Sequence, residues 1–161
     1  MVNTANMVDI NNIYSSGIEY ANELSNLANE AIAFLKSNKW CNEILEGKLD
    51  RGWGYIMAVF FFTINTDHEG VPNNIWVITG DLPPAYIDAN DNPNGACAID
   101  AYVTEMEQWV DNVLQGKPIK ELIPVNAAPT RDNAMMLQDR LNIVKNEILA
   151  NLKDELVECQ D

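Results

Sequence analysis

Between Tyr55 and Ile64 every residue except Thr63 is apolar, and the run Tyr55-Ile56-Met57-Ala58-Val59-Phe60-Phe61-Phe62-Thr63-Ile64 is rich in aromatic and β-branched side chains. At the two-residue period of a strand, both faces of such a segment are apolar, so both have to be covered. Helices on the two sides would do this, as would helices on one side and a second subunit on the other. The polar stretch Asn65 to Asn73 holds Asp67, Gly70 and Pro72, residues that reverse a chain. Asn74-Ile75-Trp76-Val77-Ile78-Thr79 then reads as the returning strand of an antiparallel hairpin. A lone hairpin is marginal in water, so it needs helices, another short strand or a dimer mate.

Helical periodicity surrounds this pair. Ile13, Ile18, Ala21, Leu24, Ala28, Ala31, Ile32 and Leu35 form one stripe and predict a helix from about Asn12 to Lys36. A short helical turn is expected around Trp40–Leu45, closed by Gly47. Gly80 to Ile87 contains Pro83 and Pro84 and is expected to be a rigid exit from the strand. After a loop from Asp88 to Gly95, a second helix is expected from Pro93 or Ala96 to Leu114, stopped by Gly116 and Pro118. Thr130 is the expected N-cap of a last helix running to Val157. Its stripe (Ala134, Leu137, Leu141, Val144, Ile148, Leu152, Leu156) has nearly heptad spacing, suited to packing on the domain's own sheet or to a short dimer seam. The predicted class is α+β in the order α-β-β-α-α: a small antiparallel, hairpin-based sheet packed against three main helices. One domain spanning 1–161 is expected, with residues 1–11 disordered and 158–161 frayed.

The chain carries 24 acidic and 10 basic residues, a formal net charge of −14, and its three arginines and seven lysines are scattered. Displacing phosphate counterions requires a basic stripe, so nucleic acid and anionic membrane are not expected partners. A basic protein or a cationic ligand would be steered toward such a surface. Cys41, Cys97 and Cys159 form no CxxC pair and no zinc spacing, and Met1 to Ile10 lacks the basic and apolar regions of a secretion signal. A reducing, cytoplasmic location follows as the expectation.

The motifs that carry chemistry are incomplete. Asp88, Asn90, Asn92 and Asn94 alternate as a calcium loop begins, but Pro93 and Ile99 stand where the turn glycine and the bidentate glutamate belong. Asx-turns and a helix cap account for the same residues. Asp67-His68-Glu69 holds the chain's single histidine, without a second for a His-based zinc site and without a G-x-S-x-G elbow for a triad. Gly52-Trp53-Gly54 lacks the lysine and helix of a phosphate loop, and Cys41 has no activating neighbour in sequence. Carboxylate pairs for acid–base work could come from Asp81, Asp88, Asp91 or Asp100, with no spacing that selects two of them. Trp40, Trp53, Trp76, Trp109, Tyr55, Tyr86 and Tyr102 suit core packing better than a ligand pocket. No catalytic residue, cofactor or metal ligand is therefore expected.

Ile75-Trp76-Val77-Ile78-Thr79-Gly80-Asp81-Leu82-Pro83-Pro84-Ala85-Tyr86-Ile87 resembles the centre of an uncharacterised bacterial family. In that family a tryptophan-bearing strand ends in Gly-Asp-Leu-Pro with a tyrosine a few residues on. The likeness covers about residues 53–114 and departs at Thr79, at Pro84 and in the first helix. It implies a bacterial or phage source and a shared fold, and supplies no reaction. Gly80, Asp81, Leu82, Pro83 and Tyr86 are the residues to which the resemblance points as partner- or ligand-binding. Asp88 and Asp91 of the adjoining polar loop join them as candidates. A tight bend at Gly80, a local hydrogen bond at Asp81 and a proline-locked exit would explain the same motif structurally. Three functions fit: an acidic interaction domain of the immunity or antitoxin type that binds a basic protein, a small-molecule-binding or hydrolytic domain using the Asp81–Asp91 loop, or a homodimeric scaffold.

Overall fold

The computed structural model describes residues 2–159. It is an α+β domain with a five-stranded antiparallel sheet in the plain order β1 (Val8–Asp9), β2 (Glu43–Gly52), β3 (Met57–Asn65), β4 (Asn74–Gly80) and β5 (Leu82–Asp88). Helix α1 (Ala21–Lys36) lies against one face. Helices α2 (Gly95–Gln115) and α3 (Arg131–Ile143), followed by a broken helical tail, lie against the other. The β3–β4 hairpin is in register from Met57↔Gly80 to Thr63↔Asn74. Its strands are central, and the doubly apolar pattern is resolved by alternation. Met57, Val59, Phe61, Trp76 and Ile78 face α2 and α3, while Ala58, Phe60, Phe62, Ile64, Ile75 and Val77 face α1. Helices of the same chain therefore cover both faces, and no second subunit is required.

Several elements differ from expectation, each for a local reason. Helix α1 begins at Ala21, because Gly17 (φ +75°) and Tyr20 (φ +61°) both turn left-handed and interrupt the predicted 12–36 run. Ile13 is buried all the same. The Trp40–Leu45 segment is not a helical turn: Glu43 starts a ten-residue strand, β2, whose periodicity is broken by irregularities at Ile44/Glu46 and Leu49/Arg51. The second of these puts Asp50 in a bulge. Leu82–Asp88 is strand β5, not merely a rigid exit; Pro83 and Pro84 are tolerated because β5 is a sheet edge. The N-terminal residues are not all disordered, since Val8 and Asp9 pair with Leu49 and Lys48 and a 3₁₀ turn follows.

The helix ends agree more closely. Asn94 caps α2 by accepting from the Cys97 amide, Gly116 closes it at φ +68°, and the Thr130 side chain caps α3. The predicted last helix does not run unbroken to Val157. After Ile143 it widens into a π turn (Val144–Ile148), tightens to 3₁₀ (Leu149–Asn151), reforms briefly as α4 (Lys153–Leu156) and ends in a 3₁₀ turn (Val157–Cys159). Ala134, Leu137, Leu141, Val144, Ile148 and Leu156 are buried in the domain's own core, so the heptad-like stripe is used for packing.

Cys97 and Cys159 form a disulfide across 62 residues, leaving Cys41 as the free thiol. Their wide separation in sequence gave no sign of this bond. It holds Glu158 and Cys159 against expected fraying; Gln160 and Asp161, the remainder of that expectation, lie outside the described residues. No helix among the described residues is long and apolar enough to cross a membrane.

Candidate functional site

Strand β5 divides the residues singled out from the sequence between two ends of the sheet. Gly80, Asp81, Leu82 and Pro83 lie at its start, Tyr86 and Asp88 toward its end, and Asp91 in the loop beyond. At roughly 3.3 Å per residue, Gly80 and Asp88 are about 25 Å apart. The two ends do not form one site.

At the first end the motif makes close backbone contacts, and Gly80 and Leu82 also line a groove of about 720 Å³. Gly80 has φ +150°, and a Cβ there would lie 2.6 Å from Met57 Cα and nearer still to the Ile56 carbonyl oxygen. The Asp81 amide donates to that carbonyl at 2.9 Å, joining the β4–β5 bend to the entry of β3. The Asp81 carboxylate meets Arg140 Nε at 3.3 Å but is largely exposed, so the pair contributes at most about 1 kcal/mol. Leu82 and Pro83 border a shallow groove of about 290 Å³ with Trp109, Leu137 and Arg140. The buried Tyr102 hydroxyl donates to the Pro83 carbonyl.

At the far end a groove of about 360 Å³ wraps the free edge of β5. Asp88 and Asp91, Glu105 of α2, and Glu121 of the following loop line it, together with Tyr86, Pro72, Leu122 and Ile123; no lysine or arginine does. The Tyr86 ring packs on Trp40, with centroids 4.8 Å apart and planes tilted by 54°. Burial pushes the Glu105 carboxyl above the usual carboxylate range. Burial, and then the negative charge of Asp88 and Glu105, push the Tyr86 hydroxyl up as well. Both directions mean that added negative charge is disfavoured here. An incoming ammonium or guanidinium would be stabilised by carboxylate acceptors and an aromatic ring.

The Asp88–Asn94 loop is held by its own hydrogen bonds. Asp88 Oδ1 accepts from the Asn90 amide at 2.7 Å, Asn92 Nδ2 donates to the Asp88 carbonyl at 2.9 Å, and the Trp76 indole donates to the Asn92 carbonyl at 2.9 Å. The alternation that resembled a calcium loop thus forms Asx-turns and the cap of α2. Among the described residues, no three His, Cys, Asp or Glu side chains are grouped to hold a metal ion. Asp67, His68 and Glu69 occupy the exposed β3–β4 turn, where His68 Nδ1 lies 2.8 Å from the Glu69 carbonyl oxygen. Burial pushes the Cys41 thiol up, against a smaller opposing effect of a backbone hydrogen bond at Glu43, so it is not an activated nucleophile.

Sequence reasoning missed a second polar cluster. The bulged Asp50 packs its carboxylate against Gly95, the first residue of α2, where a Cβ would meet it. Arg51 Nε contacts Asp50 Oδ2 at 3.3 Å, and its two terminal nitrogens make a bidentate pair with Glu155. Burial pushes Asp50 up, partly offset by Arg51, whereas the Arg51 hydrogen bond holds Glu155 down. A cavity of about 390 Å³ lies among Asp50, Arg51, Trp76, Asn94 and Glu155. Its only sequence signal was an Asp-Arg pair followed by Gly52, in a segment not read as a strand. Glu105 and Glu121 were missed because they are two of many exposed-looking acidic residues.

Compared with family models, curated proteins and solved structures, the chain matches none.

Proposed function

We propose that the protein is a non-enzymatic, acidic interaction domain of the immunity or antitoxin type, and that it receives a basic segment of a partner protein in the groove beside β5. One observation carries this: Asp88, Asp91, Glu105 and Glu121 converge with Tyr86 on a concave surface that no cationic side chain lines. The −14 charge of the whole chain steers a basic partner toward it. The rival use of Asp81–Asp91 as one catalytic loop is less well supported. Asp81 and Asp88 stand at opposite ends of β5, about 23 Å apart, whereas paired carboxylates in glycoside hydrolysis stand about 5–9 Å apart. The two surfaces that suggested a dimer seam are both packed by the chain's own helices. A cytoplasmic location remains part of the proposal, and it requires the Cys97–Cys159 bond to be reversible, because reducing compartments keep thiols reduced.

The test is calorimetric titration with an octapeptide of alternating lysine and arginine, alongside salt-stepped affinity capture from the native lysate. Binding that weakens steeply with salt is expected. The combined variant Asp88→Asn, Asp91→Asn, Glu105→Gln, Glu121→Gln should lose it while keeping the wild-type circular dichroism. Equal affinity in that variant, or no peptide binding together with a blank capture, would overturn the proposal.

A further inference from the structure

The disulfide joins two unlike places. Cys97 is buried in the first turn of the 21-residue helix α2, while Cys159 is partly exposed in the final 3₁₀ turn. The segment that ends at Cys159 has little helical stability of its own. From Val144 onward it is a π turn, a 3₁₀ turn, a four-residue α4 and another 3₁₀ turn, lengths at which a helix does not hold itself. Its other anchors are few. Glu155 pairs with Arg51, Asn94 Nδ2 donates to the Glu155 carbonyl at 3.0 Å and to Glu158 Oε2 at 2.7 Å, and Leu156 is buried. Partly exposed ion pairs of this kind contribute up to about 1 kcal/mol. Beside the burial of Leu156, the sulfur bridge is the one covalent restraint on residues 153–159. Those residues also supply Glu155, one wall of the cavity that holds Asp50 and Arg51.

We propose that Cys97–Cys159 is a thiol–disulfide exchange site, opened by a dithiol reductant, and that it clasps the 153–159 segment over the Asp50–Arg51 cavity. The thiolate of the reductant attacks the sulfur of the partly exposed Cys159, the S–S bond breaks, and Cys97 leaves as a thiolate that takes up a proton. The second thiol of the reductant then attacks its own sulfur in the mixed disulfide and releases Cys159. The reductant is oxidised by two electrons to a disulfide, and the chain gains two electrons and two protons. The positive end of α2 favours the departing Cys97 thiolate, and a better leaving group departs faster. The carboxylates of Asp50, Glu155 and Glu158 at the same helix end act against it, so access to Cys159 governs the exchange. Once the bond is open, Glu155 and Glu158 can separate from Arg51 and Asn94, and the cavity loses a wall. The sheet and its two cores do not depend on this segment beyond Leu156.

The full-length oxidised chain is treated with dithiothreitol without denaturant, alkylated, weighed, and followed by hydrogen exchange. Two additional alkylated thiols are expected, with exchange across 153–159 faster by at least about tenfold and β3 and β4 still protected. Cys159→Ser should show the open segment without reductant, and Cys41→Ser should behave as wild type. Three results would each overturn the proposal: thiols that appear only in denaturant, a 153–159 segment equally protected after reduction, or loss of β3–β4 protection together with the segment.

Discussion

Gly80 tests whether the Gly-Asp-Leu-Pro motif is architecture. In Gly80→Ala the new methyl would sit 2.6 Å from Met57 Cα, against the usual 3.5–4.0 Å between carbon atoms, so two backbone segments must separate by about 1 Å. The obstructing atoms belong to the main chain and cannot rotate aside. Such overpacking costs about 1–3 kcal/mol. A φ of +150° adds about 1–3 kcal/mol for an L side chain. Separation also breaks the Asp81–Ile56 backbone hydrogen bond, worth about 1 kcal/mol. The sum is at least about 3 kcal/mol, or a fall of roughly 6–12 °C in Tm for a chain of this size. Gly70→Ala is the control: φ is +87°, but nothing lies within 4 Å of its would-be Cβ. Only the left-handed penalty of about 1–2 kcal/mol applies there. Urea and thermal unfolding of both variants measure the difference. If Gly80→Ala falls within 1 kcal/mol of Gly70→Ala, the bend is not clamped against Ile56 and Met57. Octapeptide binding per folded molecule should be unchanged in Gly80→Ala, because the acidic groove lies at the other end of β5.

Thr79 is buried, and its hydroxyl donates to the Leu27 carbonyl of α1 at 2.9 Å. Thr79→Val keeps the shape and should cost about 1 kcal/mol in urea unfolding; an unchanged midpoint would show that the bond between sheet and helix contributes nothing. Glu155 is held below its ordinary range by Arg51, so its contribution is present above the unfolded-state value and is lost as pH falls through the folded one. The protection factor of 153–159, taken against the intrinsic exchange rate at each pH, should therefore fall on acidification in wild type and not in Glu155→Gln, and parallel protection profiles would refute the assignment. Asp50 has the opposite sign: its raised folded value gives stability at low pH that is lost as pH rises through that value, which an NMR titration of its carboxyl carbon would reveal as a midpoint above the usual aspartate range.

What could be read from the sequence follows from how strongly each segment is patterned. The β3–β4 hairpin, α2 with its Gly116 stop, and the Thr130 cap were legible because long apolar periodicities and capping residues act locally. Strand β2 was not: Glu43-Ile44-Leu45-Glu46-Gly47-Lys48-Leu49-Asp50-Arg51-Gly52 carries two irregularities, each of which shifts the alternation by one residue. Pro83 and Pro84 argued against a strand at β5, yet they exclude only a central one, and its edge position was not visible from local sequence. The start of α1 was misplaced because apolar spacing continues through Ile13 and Ile18 while the backbone at Gly17 and Tyr20 turns left-handed.

The candidate sites show the same division more sharply. Asp88, Asp91 and Tyr86 could be named because they cluster in sequence, but Glu105 and Glu121 join them only through the packing of α2 and its following loop around the β5 edge. The Asp50–Arg51–Glu155 cluster spans 104 residues, and the disulfide beside it spans 62. Neither has a local signature, since both depend on the helical tail returning to the first turn of α2. Before that return the helix widens into the π turn at Val144–Ile148, with Val144 and Ile148 buried, and the backbone leaves helical geometry at Leu152 (φ −117°, ψ +20°). The ion pair, the disulfide and the wall of the cavity therefore all rest on the same short tail reaching the first turn of α2.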